Sequence, residues 1–375
     1  MNKINPPYRA DHVGSFLRPE KIASARNMYL KKLITKEELT AVEDEEIAKL
    51  VKLEEENGLK AVTDGEFRRA FWHLDFLAGI DGIEHIGAKN WSTHFEGVQP
   101  KAETVAIAGK VSFNENHPFV DALKRLIKIV GDARKVKYTI PSPSMLYQIC
   151  VVRNKDYTPI DLYKDNDELL FNDMADTWIK AAKTFYDLGL RYLQIDDTSW
   201  GVFCSSEKCA LYSGYGRDLK YVQEKYVEVI NKIRAALPSD LTISMHICRG
   251  NFRSTWFSSG GYESVAELLF GKCNVDAFFL EYDSDRAGDF KPLRFIKDQT
   301  VVLGLITSKF PELEDKELIK ERIKEASEYV PLERLCLSTQ CGFSSTEEGN
   351  ILTQQDQWAK IRLVSEIASE VWKEI

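Results

Sequence analysis

The sequence predicts an α/β protein, a (β/α)8 TIM barrel with an N-terminal helical extension and a hairpin-containing insertion. Three observations predict it. Short β-type apolar runs alternate with longer segments of helical period. There are eight such runs: Arg9–Gly14, Leu59–Thr63, Val136–Ile140, Tyr192–Asp196, Thr242–Ile247, Val275–Leu280, Val301–Leu305 and Leu335–Ser338. The unusual polar residues fall at their ends, where a barrel carries its chemistry. Gly14-Ser15 follows the first run, Asp64-Gly65-Glu66 the second, and Asp196-Asp197 ends the fourth. His246-Ile247-Cys248 ends the fifth, Glu281 follows the sixth, and Gln340-Cys341-Gly342 follows the eighth. A doubly wound sheet also alternates strand and helix, but gathers its site at a glycine-rich switch point. Neither G-x-G-x-x-G nor G-x-x-x-x-G-K-[ST] occurs.

The elements between the runs follow in order. Ile22–Glu56 is long, charged and helical in character. Ile83–Asn116 reads as an insertion containing a hairpin, with Val105–Val111 its clearest strand. Insertions of this kind serve as decoration, substrate lid or dimer contact, and a homodimer is one expected outcome. Leu170, Met174, Trp178, Ala181, Phe185 and Leu188 keep the 3/4 step of a helix face before the fourth run. Leu219, Val222, Tyr226, Val229, Ile233 and Leu237 do the same before the fifth. Thr353-Gln354-Gln355-Asp356 is a capping-box variant with Asp in place of Glu, and it opens a closing helix bearing Trp358, Ile361, Val364, Ala368 and Val371.

At 375 residues the chain admits two to three domains or one large barrel. No Pro/Gly/Ser-rich linker or fixed-period repeat divides it, so residues 1–375 are read as one body. Lys+Arg 50 against Asp+Glu 58 gives a net charge of -8, without the basic stripe that nucleic-acid binding needs. Hydrophobic residues at 44% contain no run near the ~18 residues of a membrane span. No secretory signal marks the N-terminus, and the seven cysteines are sparse and odd in number, so a cytoplasmic protein with reduced or metal-ligating thiols is expected. The Asn90-Trp91-Ser92 triplet carries no meaning in that compartment.

His246 and Cys248 lie two apart on one run, so their side chains share a face. With Glu281 and Cys341 from later mouths they make an N, S, O, S set suited to tetrahedral Zn²⁺. Spacing alone favours two ordinary buried thiols and a hydrogen-bonded histidine, and the placement of all four residues at run ends brings the zinc reading level with it. Glu66 and Asp196 suit an ammonium group, and Ser15 with its turn suits a carboxylate. The structural alternatives are an ion pair of Glu66 with Arg68 or Arg69 and a helix-capping Asp196. Phe71, Trp72, Trp200 and Phe203 are either core or a flat wall for a methyl donor.

In these motifs the chain resembles the catalytic barrel of cobalamin-independent methionine synthase, and more closely its short single-barrel members. The resemblance runs from His12-Val13-Gly14-Ser15-Phe16 through Leu193–Asp197 and His246-Ile247-Cys248 to Ser338–Gly342. It implies zinc held at His246, Cys248, Glu281 and Cys341. It further implies homocysteine bound against Gly14, Ser15, Glu66 and Asp196, with Glu66 and Asp196 as the catalytic carboxylates. The implied reaction transfers a methyl group to a small-molecule thiol, making methionine, with 5-methyltetrahydrofolate among the donors. One departure concerns the donor: where the full-length synthase carries a histidine after the seventh run, this chain has Thr307 or a neighbour. A folate donor needs its nitrogen protonated to leave, so a methylcorrinoid, a sulfonium or an epoxide stays open. Three further readings compete: an epoxide:thiol transferase, a metal-free barrel like uroporphyrinogen decarboxylase, and a non-catalytic zinc-storing or thiol-sensing barrel.

Overall fold

A computed structural model of the chain describes residues 6–87 and 101–373. The Asn90-Trp91-Ser92 triplet and the centre of the 83–116 segment lie outside them. Two helices, Glu20–Leu30 and Lys36–Glu56, occupy the charged N-terminal stretch. The second opens on a capping box in which Thr35 and Glu38 satisfy each other's backbone N–H groups. In the insertion, β1 (Asp81–Gly87) pairs antiparallel with β2 (Glu103–Ser112).

Six strands then form one parallel sheet in sequence order: β3 (Lys137–Pro141), β4 (Tyr192–Asp197), β5 (Thr242–Ile247), β6 (Ala277–Glu281), β7 (Thr300–Ile306) and β8 (Leu335–Thr339). Their residues are buried almost throughout, as parallel strands covered on both faces must be. Alternate residues serve different faces. Phe278, Leu280, Val301, Leu303, Leu335 and Leu337 join the main core, whereas Phe279, Val302 and Cys336 form a small second cluster with Val13. Helices Asp167–Asp187 and Leu219–Ala236 bury the stripes expected of them except at their ends, where Leu188 and Leu237 are the C-caps and Leu188 is only half-buried, and the closing helix Gln354–Trp372 carries the Thr353–Asp356 capping box. Among the described residues no helix is long and apolar enough to cross a membrane.

The third to eighth runs correspond to β3–β8. The first two differ: each makes a single parallel bridge, Ala10 with Leu337 of β8 and Val62 with Val136 beside β3. Between these two runs side-chain hydrogen bonds replace a strand ladder. Thr63 Oγ1 donates to the Gly14 carbonyl at 2.7 Å, and His12 Nε2 meets the Ala61 carbonyl at 3.2 Å. Gly14 explains the early end of the first run. Its φ of 129° is one that side-chain-bearing residues rarely adopt, and a Cβ there would lie 2.7 Å from Thr139 Cγ2.

The inner face is tied together by a buried charge pair. Lys137 Nζ donates to Asp11 Oδ1 at 2.9 Å and to the His12 carbonyl, and Asp11 also accepts from Tyr192 Oη at 3.0 Å. Both charged side chains are fully buried. Replacing one partner strands the other charge, which costs about 3–5 kcal/mol in such pairs. Lys137→Met is therefore expected to lower unfolding stability by about that amount, measured by urea denaturation; an unchanged midpoint would show the pair to be dispensable.

Candidate functional site

Strand register brings the polar run ends together. Asp196 of β4 is the Cα partner of His246 in β5, Cys248 follows β5, Glu281 ends β6, and Cys341 follows β8. One ligand atom from each of His246, Cys248, Glu281 and Cys341 lies within 4.8 Å of the others, and all four residues are buried. The Cys248 and Cys341 Sγ atoms are 3.6 Å apart. With Zn–S near 2.3 Å, two sulfurs at the corners of a tetrahedron stand about 3.8 Å apart, so the set fits a tetrahedral zinc ion.

The surroundings stabilise negative charge. Burial raises the Glu281 carboxyl, but Arg286, Lys309, Arg249 and His246 outweigh it and hold it below its ordinary range. Arg286 Nη2 donates to Glu281 Oε2 at 3.2 Å, and the Arg249 N–H donates to Oε1 at 2.8 Å. The hydrogen bond between the two thiols lowers Cys341 and raises Cys248. Burial pulls the His246 imidazole down, yet the Asp196 hydrogen bond, with the charges of Cys341, Asp196 and Glu281, raises it to about 9. Its Nδ1 faces Asp196 Oδ1 at 3.1 Å and its Nε2 the Gln340 carbonyl at 3.2 Å, two acceptors that call for an imidazolium. A carboxylate on one imidazole nitrogen is also how metal-ligating histidines are oriented.

A cavity open to solvent adjoins this cluster, lined by Ser15, Glu66, Asp196, His246, Cys248 and Cys341 among others. Glu66 sits at φ 61°, a strained conformation for a residue with a side chain, just after Gly65. Its Oε1 accepts from Arg69 at 3.1 Å and from Thr139 Oγ1 at 2.9 Å, while the buried Oε2 has no hydrogen-bond partner among the described residues. Burial raises the Glu66 pKa to about 7, with Arg69 lowering it and Asp196 raising it. Ser15 Oγ accepts from the Ser344 N–H at 3.3 Å, and a Cβ on Gly342 would lie 2.0 Å from that oxygen. Only glycine permits this approach.

Several sequence alternatives are thereby sorted. Arg69 does pair with Glu66, whereas Arg68 pairs with Glu43 at 3.0 Å. The residue capping the turn after β4 is Asp197, whose Oδ1 accepts from the Ser199 and Trp200 N–H groups, leaving Asp196 for the cavity. Gly14 and Glu281 are not among the cavity's lining residues, and Glu281 is fully buried. Phe71 and Trp72 line the cavity, while Trp200 and Phe203 are core. Sequence reasoning missed Phe252 and Phe257, also in the cavity wall, and Lys309. Lys309 is fully buried, its Nζ donating to Asn251 Oδ1 at 2.9 Å, and its charge reaches Cys248, Cys341 and Glu281. The only signal was a lone lysine among small polar residues after the least informative run.

The metal-free protein is expected to show the His246 imidazole titrating near pH 9 by NMR. Asp196→Asn removes the carboxylate and is expected to lower that value; a titration unmoved by the substitution would uncouple the two residues.

Comparison with known proteins agrees with this geometry. The catalytic-domain family of the cobalamin-independent synthase matches residues 9–364. The uncharacterized protein YxjH of Bacillus subtilis is 48% identical over 370 residues, covering 98% of this chain and 95% of that protein. The structure of a putative vitamin-B12 independent methionine synthase from Listeria monocytogenes superposes with a TM-score of 0.77 at 42% identity, covering 98% of this chain and 99% of that one. A B12-independent methionine synthase from Shewanella sp. W3-18-1, solved with selenomethionine, shares the fold with a TM-score of 0.71 at 19% identity, covering 98% of each chain. From its β-strand mouths to its matched length, the chain belongs to the family of cobalamin-independent methionine synthase catalytic domains.

Proposed function

We propose that this protein is a zinc-dependent S-methyltransferase that methylates a small-molecule thiol, homocysteine, to give methionine. The observation that carries the reading is one cavity in which the His246, Cys248 and Cys341 side chains face the buried Glu66 carboxylate with its unpartnered Oε2. We further read the sheet as a closed (β/α)8 barrel in which the first two runs span the gap between β8 and β3. The bridges at Ala10 and Val62 and the side-chain bonds between the runs support this. The seven unpaired thiols suit the cytoplasm.

In this reading His246, Cys248, Glu281 and Cys341 would hold the zinc. When bound, zinc supplies a Lewis acid that keeps a ligated thiol deprotonated near neutral pH. The chain's own residues do the rest. Glu66 Oε2 and Asp196 receive the ammonium group of the acceptor, and the Ser15 turn its carboxylate. Asp196 at the same time fixes the His246 ring, so binding and ligand orientation share one side chain. The walls formed by Phe71, Trp72 and Phe252 exclude water around the sulfur. The metal-free decarboxylase reading leaves the four clustered ligand-type groups without a task.

Purified protein is expected to contain about one zinc per chain and to release roughly one proton per homocysteine bound. Cys341→Ser is expected to lose the metal; stoichiometric zinc in that variant would remove Cys341 from the ligand set, and a protein that takes up no zinc would sink the proposal. The Glu66 pKa near 7 sets a pH dependence. The carboxylate is charged above that value, so methionine, whose ammonium group is charged throughout, is expected to bind more tightly as pH rises from 6 to 8, roughly tenfold at most per ionisation. Calorimetry on Glu66→Gln should show a flat profile over the same interval.

A further inference from the structure

We propose that this chain forms a two-fold dimer in which the lysine-rich apolar corner at residues 28–36 of one copy seats on the acidic apolar segment at residues 310–318 of the other. Among the described residues fourteen large apolar side chains are exposed, and seven of them fall in these two short segments. Met28, Tyr29, Leu30 and Leu33 belong to the first, and Phe310, Leu313 and Leu318 to the second. Leu30 is 76% and Leu33 68% exposed. A single surface leucine is ordinary, but a concentration of this kind marks a contact surface.

Both segments owe their exposure to local structure. Helix Glu20–Leu30 buries only Ile22 and Ala25, so its last turn has no core beneath it. It ends in a Schellman motif: the Leu33 N–H donates to the Met28 carbonyl at 2.9 Å and the Lys32 N–H to that of Tyr29 at 2.8 Å. The left-handed position that glycine usually takes in this motif holds Lys32, at φ 58°. The turn thereby sets Met28 and Leu33 side by side and adds a charge to them. In the second segment Asp315 caps helix Lys316–Ala326, which buries only Ile319, Ile323 and Ala326 and leaves Leu318 outside.

The two surfaces are complementary in charge. Residues 28–36 include Lys31, Lys32 and Lys36 and no acidic residue, whereas residues 310–318 set Glu312, Glu314, Asp315 and Glu317 against Lys316. Glu314 is taken by Lys360 at 3.1 Å, which leaves the exposed Glu312, Asp315 and Glu317 to face a partner. A chain of net charge -8 repels its own copies over most of its surface. The lysine corner is the place where an acidic apolar surface of the same chain is welcome.

Placement favours a closed pair. Both segments flank the loop after β8. On one side Arg26, in the helix that ends at the corner, pairs with Glu347 at 3.2 Å. On the other, Asn350 Nδ2 donates to the Ser308 carbonyl at 2.8 Å, two residues before Phe310, and Lys360 Nζ to the Glu312 carbonyl at 2.6 Å. A contact between two different surfaces closes into a dimer when both lie on one face, because a two-fold axis between them then makes the contact twice. Ile351, itself exposed, lies in the loop between the two segments, where that axis would bring it against its own copy.

The test is sedimentation equilibrium of the full chain at about 50 μM, above the Kd that standard-size interfaces reach. Wild type is expected at twice the 42.9 kDa of the chain. Lys31→Glu combined with Lys32→Glu sets like charges against the acidic segment and should weaken the dimer at least tenfold. Glu312→Lys combined with Glu317→Lys should do the same, and all four changes together should restore the Kd to within threefold of wild type. Ile351→Asp, which brings a carboxylate from each copy to the axis, should also weaken it at least tenfold. All five positions are exposed, so the variants are expected to keep the fold, which circular dichroism checks. A monomeric wild type, an open assembly larger than a dimer, a dimer indifferent to the lysine reversal or to Ile351→Asp, or a reversal that the fourfold variant fails to rescue would each overturn the proposal.

Discussion

Crowding two thiols, a carboxylate and an imidazole within 4.8 Å of one another in a buried place is the constraint on which the rest of this structure depends. Such a cluster is electrostatically costly unless cations face it. The fold supplies them from two loops and a strand: Arg286 after β6, Lys309 after β7, and His246 of β5 itself. Each is in turn held by an acceptor. Arg286 is shared between Glu281 and Asp283, Lys309 between Asn251 and the Thr255 carbonyl, and His246 between Asp196 and the Gln340 carbonyl. Asn251 closes the circuit by donating to the Gly342 carbonyl, next to Cys341. The seventh strand contributes no member of the cluster, yet its loop supplies a positive charge that faces it.

The same economy governs the loops that complete the cavity. Arg18 is buried among backbone carbonyls, donating to those of Glu66 and Arg69 with one nitrogen and to those of Ser344 and Thr346 with the other. One guanidinium thus fixes the Glu66 turn against the loop after β8. It helps sustain the left-handed backbone at Glu66, a conformation that persists only where its surroundings over-determine it. Further down, Lys137 and Asp11 do similar work on the inner face, where an apolar pair would pack but could not also hold the His12 carbonyl.

Much of this was legible in the residues. Parallel strands buried on both faces read as continuous apolar runs, so β3–β8 stood out with their ends nearly in place, and period 2 put His246 and Cys248 on one face before any coordinates existed. The first two runs were overread as strands. Their apolar content is real, but Asp11, His12 and Thr63 spend their hydrogen bonds on side-chain links, and Gly14 bends the chain, so a ladder never forms between them. Periodicity cannot see that substitution of side chain for backbone. Nor can it distinguish Trp72, which faces the cavity, from Trp200, which faces the core. Lys309 was hidden for a related reason: its charge acts through where its loop aims it, and no spacing rule encodes that aim.

The Arg18 contacts have a consequence for how the protein is made. Arg18 and Ser344 are separated by 326 positions in sequence, and Cys341 lies in the same late segment. While the chain leaves the ribosome, the segments carrying Ser15 and Glu66 are made long before the loop that braces them and before Cys341. The four-residue cluster is therefore completed late in synthesis, and the nascent chain passes through a long interval in which His246, Cys248 and Glu281 are present without Cys341. A chain ending just ahead of Cys341 would carry all six strands of the parallel sheet and three of the four cluster residues.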